Sequence, residues 1–90
     1  MMDQELLNRI GRINRAKGWD KGWSKGGCYL HLEASEFIES LRGKGNDPPT
    51  KEAADVLFTL FGMLSYNGIP LIDVLAALEK IIQELESQQA

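Results

Sequence analysis

A single cysteine among 90 residues rules out an internal disulfide, and no His or Asn/Asp arrangement marks Cys28 as a catalytic thiol. A small, semi-buried side chain in a reducing cytoplasm is the expectation for it. No apolar run is long enough to cross a bilayer, which argues for a soluble globular protein with no membrane partner. There is no surplus of basic residues: the net charge is −3 and the pI near 5.0, so the chain as a whole does not attract a nucleic acid polymer or an anionic lipid surface. Local basic character is confined to Arg12, Arg15, Lys17, Lys21 and Lys25. The opening MMDQELLNRI lacks the basic-then-apolar order of a secretory signal, and a cytoplasmic location is expected. No internal repeat and no second domain are visible, so residues 1–90 read as one domain. A chain this short buries little surface by itself, and oligomerisation is expected.

What is present is helical periodicity. Met2, Leu6, Leu7, Ile10 and Ile13 form a stripe that should end by Gly18. The glycine-rich GWDKGWSKGG at 18–27 reads as a loop, and a second helix is expected from about Cys28 to Leu41, with Leu30, Ala34, Phe37, Ile38 and Leu41 inward. Asp47 before Pro48-Pro49 suggests an N-cap for a third helix, with Thr50 as the other candidate cap. That helix, up to about Tyr66, is apolar around most of its circumference and must be buried on more than one side. Asn67-Gly68 supplies a left-handed stop and Pro70 opens a fourth helix. Its Leu71, Val74, Leu75, Leu78, Ile81, Ile82 and Leu85 follow a heptad-like stripe that either completes a monomeric bundle or forms a dimer interface, the second being favoured by the third helix.

Two acidic pairs carry the chemistry: Glu33 with Glu36 in HLEASEFIESL, and Glu52 with Asp55 in KEAADVLFTLFGML. Spacing of i, i+3 puts each pair on one helix face, on neighbouring turns. Four carboxylates set in apolar sequence repel one another and need a cation to offset that repulsion. Oxygen-only donors favour Mg²⁺ or Mn²⁺, the ions that commonly handle phosphates. On the third helix, Asp55, Thr59, Gly62 and Tyr66, with Glu52 at the edge, form the strip free of large aliphatics.

These segments resemble the MazG-like all-α nucleoside triphosphate pyrophosphohydrolases. The family's EExxE and ExxD motifs look like Leu32-Glu33-Ala34-Ser35-Glu36 and Glu52-Ala53-Ala54-Asp55, and the family's WDK segment looks like Trp19-Asp20-Lys21. The first acid of EExxE is Leu32 here, whereas the four metal-ligand positions all remain acidic. The resemblance implies a four-helix bundle-like MazG fold, and the apolar third helix with the stripe of the fourth leads to the expectation of a dimer or dimer of dimers. It implies Mg²⁺, with Mn²⁺ as a substitute, held by Glu33, Glu36, Glu52 and Asp55 as the catalytic set. The implied reaction is hydrolysis of an NTP or dNTP between the α and β phosphates, in nucleotide-pool housecleaning, with one glutamate accepting a proton from the attacking water.

Lys21 and Lys25 are candidates for the phosphate tail, Trp19 or Trp23 for stacking on the base, and Thr59 for bordering the nucleotide. The bland alternatives are solvated lysines, tryptophans that seal the end of a bundle, and a Thr59 that lines a helix contact. Glu39 and His31 lie off the Glu33/Glu36 line and read as surface or hydrogen-bonded side chains. The GKG at 43–45 lacks the spacing of a phosphate-binding loop. The rival function is a non-catalytic helical dimer that binds metal, nucleotide or a partner protein, and the rival substrates are phosphoribosyl-ATP or a damaged nucleotide.

Overall fold

The computed structural model describes residues 3–19 and 21–88, and among them the chain forms four α-helices and no strand. Met2 and Asp20, which the sequence reading used, lie outside the described residues. Helix α1 spans Gln4–Lys17, α2 Trp23–Leu41, α3 Pro49–Tyr66 and α4 Leu71–Ser87.

Helix α1 starts where the Asp3 carboxylate accepts a hydrogen bond from the Leu6 N–H at 3.0 Å. It stops at Gly18, whose φ of 67° only a residue without a Cβ adopts at little cost. Leu7, Ile10, Gly11 and Asn14 form its buried face, while Ile13 is exposed.

Helix α2 begins at Trp23, well before the expected Cys28. The Gly26 N–H donates to the Gly22 carbonyl at 2.8 Å and closes the first turn. Gly26 is buried, and a Cβ there would lie 2.8 Å from the Lys21 carbonyl oxygen. The glycines therefore permit a close approach of backbone to backbone instead of making a flexible loop. Cys28 is exposed, not semi-buried, and Ile38 and Leu41 at the far end of α2 are exposed, not inward.

Pro49 is the first residue of α3, as its fixed φ and missing N–H favour, but the N-cap is Pro48 and Thr50 lies inside the helix. Asp47, expected as the cap, instead directs its carboxylate towards Lys51. Helix α3 lies against both α1 and α2, which explains its broad apolar circumference, although Leu57 stays exposed. The buried core is Leu7, Ile10, Phe61 and Leu71, with Leu6, Phe58, Leu60 and Leu64 packed on it.

Helix α4 leaves α3 at a bend of 118° and is tied at its start by the Leu71 N–H donating to Gln4 Oε1 at 2.8 Å. Beyond Leu71 it contributes little to the core: Ile72 is 74% exposed, and Leu75, Leu78, Ile81, Ile82 and Leu85 are exposed as well. The stripe does not complete a bundle within the chain. The radius of gyration is 15.0 Å, against roughly 12 Å for a compact chain of this length.

Candidate active site

Helices α2 and α3 make the most extensive contact in the molecule, and the acidic residues lie on that contact. Glu33 and Glu36 from α2 and Glu52 from α3 each bring a carboxylate oxygen within 4.8 Å of the others. Glu52 is only 7% exposed, and Oε2 of Glu52 and Oε2 of Glu33 are both buried without a hydrogen-bond partner. Burial pushes the Glu33 carboxyl above its ordinary value, the charges of Glu36 and Asp55 push it further, and Lys51 opposes them. Burial also raises Glu52, the neighbouring carboxylates of Asp47 and Glu36 add to it, and Lys51 again opposes them. Buried carboxylate oxygens without partners are costly, and a cluster of them is the donor chemistry that a hard divalent cation satisfies. The residues present therefore fit a hard divalent cation.

The fourth acid is placed differently. Asp55 does not join the three-glutamate group; its Oδ2 accepts a hydrogen bond from Lys51 Nζ at 2.7 Å, and the same ammonium lies 3.6 Å from Asp47 Oδ2.

Beside the acids is an open hollow of about 530 Å³, lined from α2 by Lys25, Tyr29 and Glu33, from α3 by Lys51, Asp55, Phe58 and Thr59, and from the segment between α1 and α2 by Gly18, Trp19 and Lys21. Lys21 is not a solvated charge, being 7% exposed. Its stem packs by Gly62 and its ammonium lies 4.9 Å from the Tyr29 ring centre and 5.8 Å from that of Trp19. Trp19, Lys21, Lys25 and Thr59 are thus gathered beside Glu33 and Asp55. Trp23 is not: it is 85% exposed and borders a separate depression with Gly22, Ser24, Lys25, Tyr66 and Asn67. Leu32 is an exposed neighbour of the acids, and Glu39 pairs with Arg42 at 2.9 Å.

A second hollow of about 380 Å³ adjoins the first, sharing Gly18, Trp19 and Lys21 with it. Asn14 lines it and is 5% exposed, with neither Oδ1 nor Nδ2 hydrogen-bonded. Gly62 faces the carboxamide so closely that a Cβ would lie 2.5 Å from Nδ2. Sequence reasoning passed over Asn14, Lys51 and Tyr29. Tyr29 was within its reach, because it stands one turn before Glu33 on the same face of α2.

A family model described as phosphoribosyl-ATP pyrophosphohydrolase matches residues 16–81, which include both acidic pairs and the Trp19–Lys21 segment. No curated protein and no solved structure matches the chain.

Proposed function

Since the chain belongs to the phosphoribosyl-ATP pyrophosphohydrolase family, of the MazG-like all-α type, we propose that it hydrolyses a nucleoside or deoxynucleoside triphosphate between the α and β phosphates. The observation that carries this reading is the convergence of Glu33, Glu36 and Glu52, with two buried oxygens lacking partners, beside a hollow that Lys21 and Lys25 also line. Glu33, Glu36 and Glu52 would hold the divalent ion, with Asp55 as the adjacent donor. Mg²⁺ held there would offset the charge repulsion between carboxylates and phosphates and would lower the pKa of bound water.

The chain's own groups divide the remaining work. Lys21 and Lys25 bind the anionic tail as point charges, and Lys21 is oriented by the two rings it touches. Trp19 offers its face to the base. Asn14, one donor and one acceptor side by side, suits the polar edge of a base or sugar lodged in the adjoining hollow. In the hydrolytic step the water oxygen forms a bond to phosphorus while the bridging P–O bond breaks and pyrophosphate departs. One glutamate accepts the water's proton. The monophosphate remains.

The family description favours one further substrate, phosphoribosyl-ATP, whose triphosphate offers the same bond. We also place the α4 stripe against a second copy, because it is apolar, exposed and uncovered by the chain. The test is an assay of pyrophosphate release from dNTPs, NTPs and phosphoribosyl-ATP, with Mg²⁺ and with chelator. Pyrophosphate released only with the metal supports the reading. Orthophosphate as first product, or no turnover of any nucleotide, defeats it, and the latter favours a non-catalytic binding module.

A further inference from the structure

Lys51 stands where helix physics does not want it. It is the third residue of α3, in the first turn, where the helix end carries partial positive charge and an ammonium is disfavoured. What it touches accounts for it. Asp47, Lys51 and Asp55 are spaced four apart, and the ammonium lies 2.7 Å from Asp55 Oδ2 and 3.6 Å from Asp47 Oδ2. It lines the same hollow as Glu33, and it opposes the repulsion felt by both Glu33 and Glu52. Asp55 follows Glu52 by one turn of α3 and so belongs on the face of the acidic group, yet its carboxylate is held by the lysine and stands outside the three-glutamate cluster.

We propose that Lys51 is the resident cation of the acidic site, holding Asp55 in the metal-free protein and competing with the incoming divalent ion for that carboxylate. The inference rests on the metal-dependent reading above. Binding of the ion exchanges one positive partner of Asp55 for another, so the Asp55–Lys51 pair opens as the site fills. The released ammonium remains on the lining of the hollow that it shares with Lys21, Lys25 and Trp19, and becomes available to an anionic group entering there. Lys51 is thus a positioning residue that sets how tightly the site takes its metal.

The experiment is a titration of the full chain with Mn²⁺, without nucleotide, followed by electron paramagnetic resonance or calorimetry. Lys51→Met should bind Mn²⁺ more tightly, by roughly fivefold for a partly screened unit charge, while melting at a lower temperature when metal-free. Lys51→Arg, which keeps the charge, should stay near the parent in both. In an Asp55→Asn background the gain from Lys51→Met should shrink, because the carboxylate in dispute is gone. Unchanged or weaker Mn²⁺ binding by Lys51→Met overturns the proposal, and so does a gain that persists undiminished beside Asp55→Asn. A parent that binds no Mn²⁺ overturns this proposal and the metal reading together, whereas a parent that binds and a Lys51→Met that matches it overturns this proposal alone.

Discussion

Glu36 on α2 and Glu52 on α3 present carboxylate oxygens within 4.8 Å of each other, and Glu52 does so from a site almost closed to water. Such an arrangement is unfavourable for the metal-free fold, because burial and like charge act together. Mg²⁺ or Mn²⁺ should therefore raise the melting temperature, by an amount corresponding to about 2.7 kcal/mol at a hundredfold excess over Kd. Glu52→Gln should largely remove that rise while melting slightly higher than the parent in chelator. Differential scanning fluorimetry with and without metal checks both directions. Equal metal stabilisation in the two proteins would count against the assignment.

The same crowding sets a pH dependence. Burial first, and the neighbouring acids after it, raise Glu33 and Glu52 above their ordinary values in the folded chain, so these two groups bind more protons folded than unfolded between the two values. Their contribution is most favourable at pH below the unfolded value and is lost as pH rises through the folded one. Acidifying the metal-free protein from neutral pH towards the ordinary carboxylate value should raise its melting temperature. Glu33→Gln should flatten this slope, and saturating Mg²⁺ should abolish it. A parent that loses stability steadily over that interval would contradict the direction of both shifts.

Helix boundaries that depend on local chemistry were legible in the sequence: Gly18 stops α1, Pro49 opens α3, and Gly68, with φ 68°, follows the end of α3 after Asn67. The start of α2 was not, because the cost of glycine in a helix follows from its type alone, whereas its benefit at Gly26 comes from the close approach of the Lys21 backbone and of Met63 on α3, which only the fold brings there. The acidic pairs were legible from i, i+3 spacing. The lysine that holds Asp55 was not, since one i, i+4 pair looks like any other on a charged helix. Burial of Lys21 follows from two aromatic neighbours that the chain brings together only on folding. Gly26→Ala weighs the two effects: propensity alone predicts stabilisation by up to ~1 kcal/mol, whereas a Cβ 2.8 Å from a backbone oxygen predicts a net loss. We expect a lower midpoint in urea unfolding.

Asn14 gives a separable effect on stability and function. A carboxamide buried without partners costs about 1–3 kcal/mol, so Asn14→Leu, close in size, should raise the urea midpoint or leave it unchanged. If the carboxamide meets the base or sugar, the same substitution should raise KM for nucleotide. A large drop in stability with unaltered KM would show that Asn14 serves packing at the α1–α3 contact instead.

The exposed stripe of α4 should be covered in solution. Burying Leu75, Leu78, Ile82 and Leu85 against a second copy removes apolar surface that the core of Leu7, Ile10, Phe61 and Leu71 leaves in water. Light scattering should give a dimer or a dimer of dimers, and Leu78→Glu should shift it towards monomer by placing a charge in the seam. A parent that is monomeric at low micromolar concentration would refute the assembly.

Catalytic losses should fall into two kinds. Substituting Glu33, Glu36, Glu52 or Asp55 by its amide removes charge from the group proposed to hold the ion, so kcat should fall by about a hundredfold or more. Trp19→Ala and Lys21→Ala act on groups that bind the base and the phosphate tail in ground and transition states alike, so KM should rise more than kcat falls. Asp55 is the informative case, because it starts outside the three-glutamate cluster in the grip of Lys51. If Asp55→Asn loses kcat as steeply as Glu52→Gln, the aspartate joins the working site when metal and substrate are present. If it retains full activity, Asp55 serves only as the partner of Lys51, and the three glutamates alone would have to carry the ion.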